Sequence, residues 1–176
     1  MAKNIMQILE NALKPICLPH GSKEVLILKE VEIYTDGACA GNPGPGGYGA
    51  ILIFNNRRKE LSGSEAHTTN NRMEMMGAIA ALEALKEPCK IKLYSDSRYV
   101  VDAIDKGWVK KWQANGWRRN KRNPALNVDL WLRMLAVLEK HDAAFVWVKA
   151  HTGHPENERC DALARMAIAK CFPYAI

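Results

Sequence analysis

No stretch of the 176-residue chain approaches the ~20 consecutive apolar residues that a membrane-crossing helix requires. No secretory leader is expected at the start, because Gln7, Glu10 and Asn11 interrupt anything like an apolar h-region. Nor does the start suit a mitochondrial presequence, since it lacks arginine and carries Glu10. The cysteines Cys17, Cys39, Cys89, Cys160 and Cys171 are odd in number and never spaced as CxxC, which argues against a disulfide framework and a zinc site. Internal repeats and low-complexity segments are missing as well. What remains is a chain that is 48% hydrophobic and 25% charged, with 12 Gly and 8 Pro: the composition of one compact domain with a sizeable core. A reduced, cytoplasmic protein is expected.

Acidic residues are also missing from one particular place. Lys106, Lys110, Lys111, Arg118, Arg119, Lys121 and Arg122 follow one another without an intervening Asp or Glu. The chain carries +6, and without those seven residues the remainder carries −1. The basicity is one local patch, the mark of a nucleic-acid-binding surface.

Along the chain, Ile5, Ile8, Leu9, Ala12 and Leu13 fall at helical spacing before Pro15, Pro19 and Gly21 end the pattern. Val25 to Leu28 is an apolar run of ambiguous type. Val31, Ile33 and Thr35 then alternate with Glu32, Tyr34 and Asp36 as a first strand. Gly41 to Gly47 reads as a loop or tight turn, Tyr48–Phe54 as a second strand, Asn55-Asn56 as a hairpin turn and Arg57–Glu65 as a polar edge strand. Asn70 or Asn71 is expected to cap a helix to about Lys86, with Met75, Ile79, Leu82 and Leu85 as its apolar stripe. A fourth strand (Ile91–Ser95), a helix at about Arg98–Asp105, a helix at Val128–Lys140, a fifth strand (Ala144–Val148) and a last helix from Pro155 to about Lys170 complete the reading. The order predicts an α/β layer with a mixed sheet, its fourth strand parallel to its first.

That topology has a chemical consequence. Asp36 and Asp96 both sit at the carboxyl ends of strands, where open α/β sheets place their ligands. Glu74 lies in the first turn of the crossing helix and Asp161 on the last helix. Four carboxylates converging without a lysine or arginine among them would repel unless a cation sat there. All-oxygen donors suit Mg²⁺ or Mn²⁺ rather than zinc. The other reading of these residues is that they only cap turns and helices.

At this point the chain resembles the bacterial type 1 ribonucleases H over residues 31–170. The motifs are Tyr34-Thr35-Asp36-Gly37-Ala38-Cys39, the run from Gly41 to Ala50, Thr68-Thr69-Asn70-Asn71-Arg72-Met73-Glu74, Ser95-Asp96-Ser97, Asn127-Val128-Asp129-Leu130-Trp131, and His151 through Asp161. The resemblance implies a single domain at 31–172. Its five-stranded mixed sheet has the first three strands antiparallel and the fourth and fifth parallel to the first, is flanked by helices, and bears a basic helical protrusion. It also implies an endonuclease that cuts the RNA strand of RNA–DNA hybrids arising in replication and transcription, leaving 5′-phosphate and 3′-hydroxyl ends. The catalytic acids and metal ligands then match Asp36, Glu74, Asp96 and Asp161, holding two Mg²⁺ (or Mn²⁺) ions about 4 Å apart in the working complex. His151 matches a mobile-loop histidine that handles protons or product release; a lone loop histidine is otherwise a surface residue. His154, before Pro155, reads as structural.

The resemblance further implies substrate contacts. Asn42, Asn70 and the backbone around Cys39 and Met73 match contacts to 2′-hydroxyls, the feature that marks RNA locally. The glycines of 41–49 would let the backbone approach the duplex. Arg98 stands where the family commonly carries Gln, so one RNA contact is missing or is exchanged for a phosphate contact. Thr69 and Asn127 match a phosphate pocket on the DNA strand, with His67 where an Arg often joins them. The basic stretch matches the family's protrusion: Lys110, Lys111, Arg118 and Arg119 toward phosphates, Trp108 and Trp112 toward deoxyriboses, Trp117 partly in the core. The remaining readings are a non-catalytic hybrid-binding module and a DNA-cutting relative. Residues 1–30 form an extension, expected as a weakly docked short helix and loop; a disordered tail and an upstream start codon are the other readings. The protein is expected to be a monomer.

Overall fold

The computed structural model describes residues 28–150 and 153–175. The elements are β1 (Lys29–Cys39), β2 (Gly44–Phe54), β3 (Arg57–Thr68), α1 (Asn70–Glu83), β4 (Cys89–Ser95), α2 (Arg98–Asp105), α3 (Trp108–Ala114), α4 (Val128–Leu138), β5 (Asp142–Trp147) and α5 (Pro155–Cys171). The sheet order is β3-β2-β1-β4-β5. Its first three strands are antiparallel, β4 runs parallel to β1, and β5 parallel to β4. This is the expected mixed sheet. The helix expected within residues 1–23, most of the Val25–Leu28 run and His151 lie outside the described residues.

Period-two alternation gives the sheet two faces. One carries Val31, Ile33, Leu52, Ile91, Leu93 and Phe145 into the main core, against Met75, Ile79 and Leu82 of α1, Val100 of α2 and Trp131 and Met134 of α4. Trp131 is fully buried, and its indole N–H donates to the Tyr99 hydroxyl at 3.2 Å, so the ring is buried without an orphaned donor. The other face holds a smaller cluster, where Ile51 meets Cys160 and Leu163 of α5.

Two details differ from the sequence reading. The turn at Gly41 to Gly47 is shorter than expected, because β2 already begins at Gly44. A Cβ at Gly47 would lie 2.4 Å from the Ala164 carbonyl oxygen, and one at Gly49 would lie 2.2 Å from that of Cys160. Gly47 and Gly49 therefore let α5 press its backbone onto β2. The cap of α1 is Thr69, whose hydroxyl accepts from the Arg72 amide, and not Asn70 or Asn71. The Asn55-Asn56 turn is present, both residues at positive φ as a two-residue hairpin loop requires.

Candidate active site

The parallel pairing of β1 with β4 ends at Thr35 opposite Ser95, and an aspartate follows on each side. Asp36 lies within β1 and not at its carboxyl end, because that strand runs on to Cys39; Asp96 lies just past β4. Asp36 and Asp96 are thus neighbours by register. Glu74 reaches them from the first turns of α1, which settles close to β1 because residue 37 is glycine: a Cβ there would lie 2.3 Å from the Glu74 amide nitrogen. Asp36, Glu74 and Asp96 each present an oxygen within 4.8 Å of the other two. Asp161 lines the same cavity of about 360 Å³ from α5. The larger groove between α2, α3 and β5 contains no comparable cluster among the described residues.

Each acid is held by a neighbour. The Gly37 amide donates to Asp36 Oδ1 at 2.7 Å, Asn70 Nδ2 to Glu74 Oε1 at 3.3 Å, and Asn157 Nδ2 to Asp96 Oδ2 at 3.4 Å. Burial, followed by the charges of Asp96 and Asp161, pushes the Asp36 carboxyl up to about 7. Burial, followed by Asp36 and Asp96, pushes Glu74 well above the usual carboxylate range. Glu74 Oε2 is buried with no hydrogen-bond partner. A buried carboxylate oxygen left unpaired among like charges fits a bound cation, and the all-oxygen donor set suits a hard divalent ion.

One expectation needs correction: the acids do not converge free of basic residues. Arg165 Nε lies 2.8 and 3.0 Å from the two Asp161 oxygens. The sequence reading missed Arg165 and also Asn157, yet Asn157, Asp161 and Arg165 recur every four residues along α5 and share one helix face. It also missed Trp147. That indole donates to the Asp96 carbonyl at 3.0 Å, and the Arg98 guanidinium lies 3.6 Å from its ring centroid. Arg98 thus stands beside the cluster, exposed and stacked.

Around the acids, Asn42 Oδ1 accepts from the Asn70 amide at 3.2 Å, joining the β1–β2 loop to the start of α1. The Cys39 thiol donates to the Gly44 and Thr68 carbonyls, and Met73 is fully buried. Arg72 grips Asp129 with both terminal nitrogens, at 3.0 and 2.7 Å. This clips the first turn of α1 to that of α4, bringing together the helix ends that carry Thr69 and Asn127. Asn127 Nδ2 donates to the Tyr99 hydroxyl at 3.2 Å. His67 is exposed on β3, and His154 occupies the N-cap position of α5 without a side-chain cap bond.

The basic stretch folds as α3 and a loop, away from the acids. Lys110, Lys111, Arg118 and Arg119 are exposed and form no ion pair among the described residues. Arg118 and Arg119 donate instead to the carbonyls of Lys121 and Pro124. Trp108 is 38% exposed. Trp112 and Trp117 are half-buried against the core, Trp112 edge-on to Trp131 at 6.2 Å. Trp112 therefore also anchors the protrusion.

The family model for RNase H matches residues 28–169. The chain is 62% identical over 143 residues to a ribonuclease H of Desulforamulus reducens, covering 81% of this chain and 89% of that one. It is 62% identical over 135 residues to a ribonuclease HI of Synechocystis, covering 76% and 84%. Among solved structures, LC9-RNase H1, a type 1 RNase H with the type 2 active-site motif, superposes with a TM-score of 0.74 at 31% identity, covering 82% of this chain and 74% of that one. With Asp36 and Asp96 placed where the parallel pairing of β1 and β4 ends, and with these likenesses along most of its length, the chain belongs to the ribonuclease H family.

Proposed function

We propose that the chain is a metal-dependent endonuclease that hydrolyses the RNA strand of RNA–DNA hybrids, leaving 5′-phosphate and 3′-hydroxyl ends and removing hybrids formed in replication and transcription. The observation that carries this reading is the buried, unpartnered Glu74 Oε2 within a set of three acids whose oxygens lie within 4.8 Å. Asp36, Glu74 and Asp96 would hold Mg²⁺, or Mn²⁺, with Asp161 beside them. When bound, such ions supply an activated water and stabilise charge on the phosphate and the leaving oxygen.

The chain's own residues choose and place the strand. Asn70 Nδ2 is committed to Glu74 and Asn42 Oδ1 to the Asn70 amide, which leaves Asn42 Nδ2 as a donor and Asn70 Oδ1 as an acceptor. A 2′-hydroxyl can serve both. Cys39 and Met73 contribute backbone, since one thiol is engaged and the other side chain is buried. The adjoining N-termini of α1 and α4, with Thr69 and Asn127, suit a phosphate of the DNA strand. Arg98, lying over the Trp147 ring, is a cation for a phosphate near the cut. Lys110, Lys111, Arg118 and Arg119 hold the DNA strand farther away, with Trp108 and Trp112 packing on its sugars. His151 takes the proton-handling or product-release role. The catalytic domain, expected over 31–172 and already begun by β1 at Lys29, acts as a monomer in the cytoplasm, with the residues ahead of it as an extension.

The test compares an end-labelled hybrid, duplex DNA and duplex RNA of one sequence, with Mg²⁺. Cleavage confined to the RNA strand of the hybrid is expected. Cutting of duplex DNA, or binding without any cutting, would overturn the reading.

A further inference from the structure

Asp161 and Arg165 lie one turn apart on α5, and a single guanidinium nitrogen sits 2.8 and 3.0 Å from the two carboxylate oxygens. Both oxygens are therefore occupied by a cation of the protein itself. The three acids that gather within 4.8 Å do not include Asp161, although it lines their cavity. Arg165 lines that cavity too, and the charges of Asp161 and Arg165 are both felt at Asp36, with opposite signs. The arginine is 64% exposed and its partner 25%. An ion pair that open to water is weakly held. A divalent ion seated among three carboxylates competes well against it.

We propose that Arg165 is a latch on the metal site: it holds Asp161 apart from the other three acids until a divalent cation draws the carboxylate away. The inference rests on the reading of those acids as a metal site. Arg165 is then a positioning residue acting through Asp161. It makes the fourth ligand conditional on occupancy, and it lowers the affinity of the empty site for a first ion.

Calorimetric titration of the full chain with Mg²⁺ and with Mn²⁺, without nucleic acid, tests this. Arg165→Gln removes the charge and keeps a similar side-chain length. It should tighten binding by about three- to tenfold, the effect of releasing Asp161 from a solvent-screened ion pair so that its carboxylate is free to join the other three acids. In an Asp161→Asn background the same substitution should change the dissociation constant by less than about twofold, because the latch has nothing to hold. Unchanged or weaker binding in Arg165→Gln would overturn the proposal. Equal tightening in both backgrounds would also overturn it, since the arginine would then act as a distant charge. If the unaltered chain binds neither ion, the metal site itself is refuted, and that outcome is distinguishable from the other two.

Discussion

The acid cluster and the basic protrusion carry opposite charge and are built in opposite ways. Asp36 and Glu74 are 7% and 5% exposed, placed by strand register and by a glycine-permitted helix contact, and each is held by a hydrogen bond. Lys110 and Lys111 are exposed on a seven-residue helix, attached to the core through Trp112. Like charges forced together where water is scarce store repulsion that a cation can relieve. Like charges spread over an open surface store little, and act by attracting a polyanion at a distance. The first arrangement suits chemistry at one point. The second suits grip along a strand, and the two should fail differently.

The largest effect is expected in the cluster. Asp36→Asn or Asp96→Asn should lower kcat on the order of a thousandfold or more, because a ligand for the catalytic ion is removed. Glu74→Gln should also be severe, and Asp161→Asn milder. Hybrid binding without metal should survive or improve, one repelling charge having gone. Near-normal turnover in the Asp36 or Asp96 variant would remove that residue from the metal site.

Next comes the metal-free stability of the cluster. The Asp36 carboxyl is raised from 3.8 to about 7, so the folded chain holds a proton there that the unfolded chain releases. Its contribution to stability is present below about pH 4 and is lost as pH rises toward 7. Asp36→Asn cannot lose that proton. Its stability advantage over the unaltered chain should be absent near pH 4 and reach on the order of 3 kcal/mol at neutral pH. Thermal melts with chelator across that range measure it, and saturating Mg²⁺ should erase or reverse the advantage. An advantage that does not vary with pH would mean that Asp36 is not held protonated.

How much of this was legible without coordinates depends on range. Asp36 and Asp96 could be brought together because alternation gives strand ends and the connecting helix forces the parallel pairing. Glu74 followed from its place in the first turn of that helix. Gly47 reads as part of a turn because dense Gly and Pro mark one locally, whereas the need for it in β2 comes from α5, more than a hundred residues away. Arg165 escapes a reading that follows the acids alone, although its one-turn spacing from Asp161 is visible in the sequence. Trp147 carried no signal at all: its bond to the Asp96 carbonyl depends on β5 lying in register beside β4.

The protrusion should respond in affinity and hardly in turnover. Replacing Lys110, Lys111, Arg118 and Arg119 together by Ala should raise KM by about an order of magnitude or more and leave kcat within a few-fold, since these charges hold ground and transition states alike. The salt dependence of hybrid binding should flatten by about one unit of log–log slope for each phosphate no longer gripped. A fall in kcat at constant KM would place the stretch in the active site and erase the contrast between the two regions.

The smallest effects come from the tryptophans, and they separate grip from anchorage. Trp108 is the more exposed ring, so Trp108→Ala should weaken hybrid binding modestly while leaving stability within about 0.5 kcal/mol. Trp112 leans on the fully buried Trp131, so Trp112→Ala removes core packing as well as a surface for sugars. A half-buried aromatic removed in this way should cost about 2 kcal/mol, readable as a lower denaturant midpoint. Neither substitution should change the salt slope, because packing on sugars releases no counterions. Should Trp112→Ala weaken binding with stability untouched, the protrusion would be a free-standing arm. Should it lower stability with binding untouched, Trp112 would be core alone, and the grip would rest on the charges and Trp108.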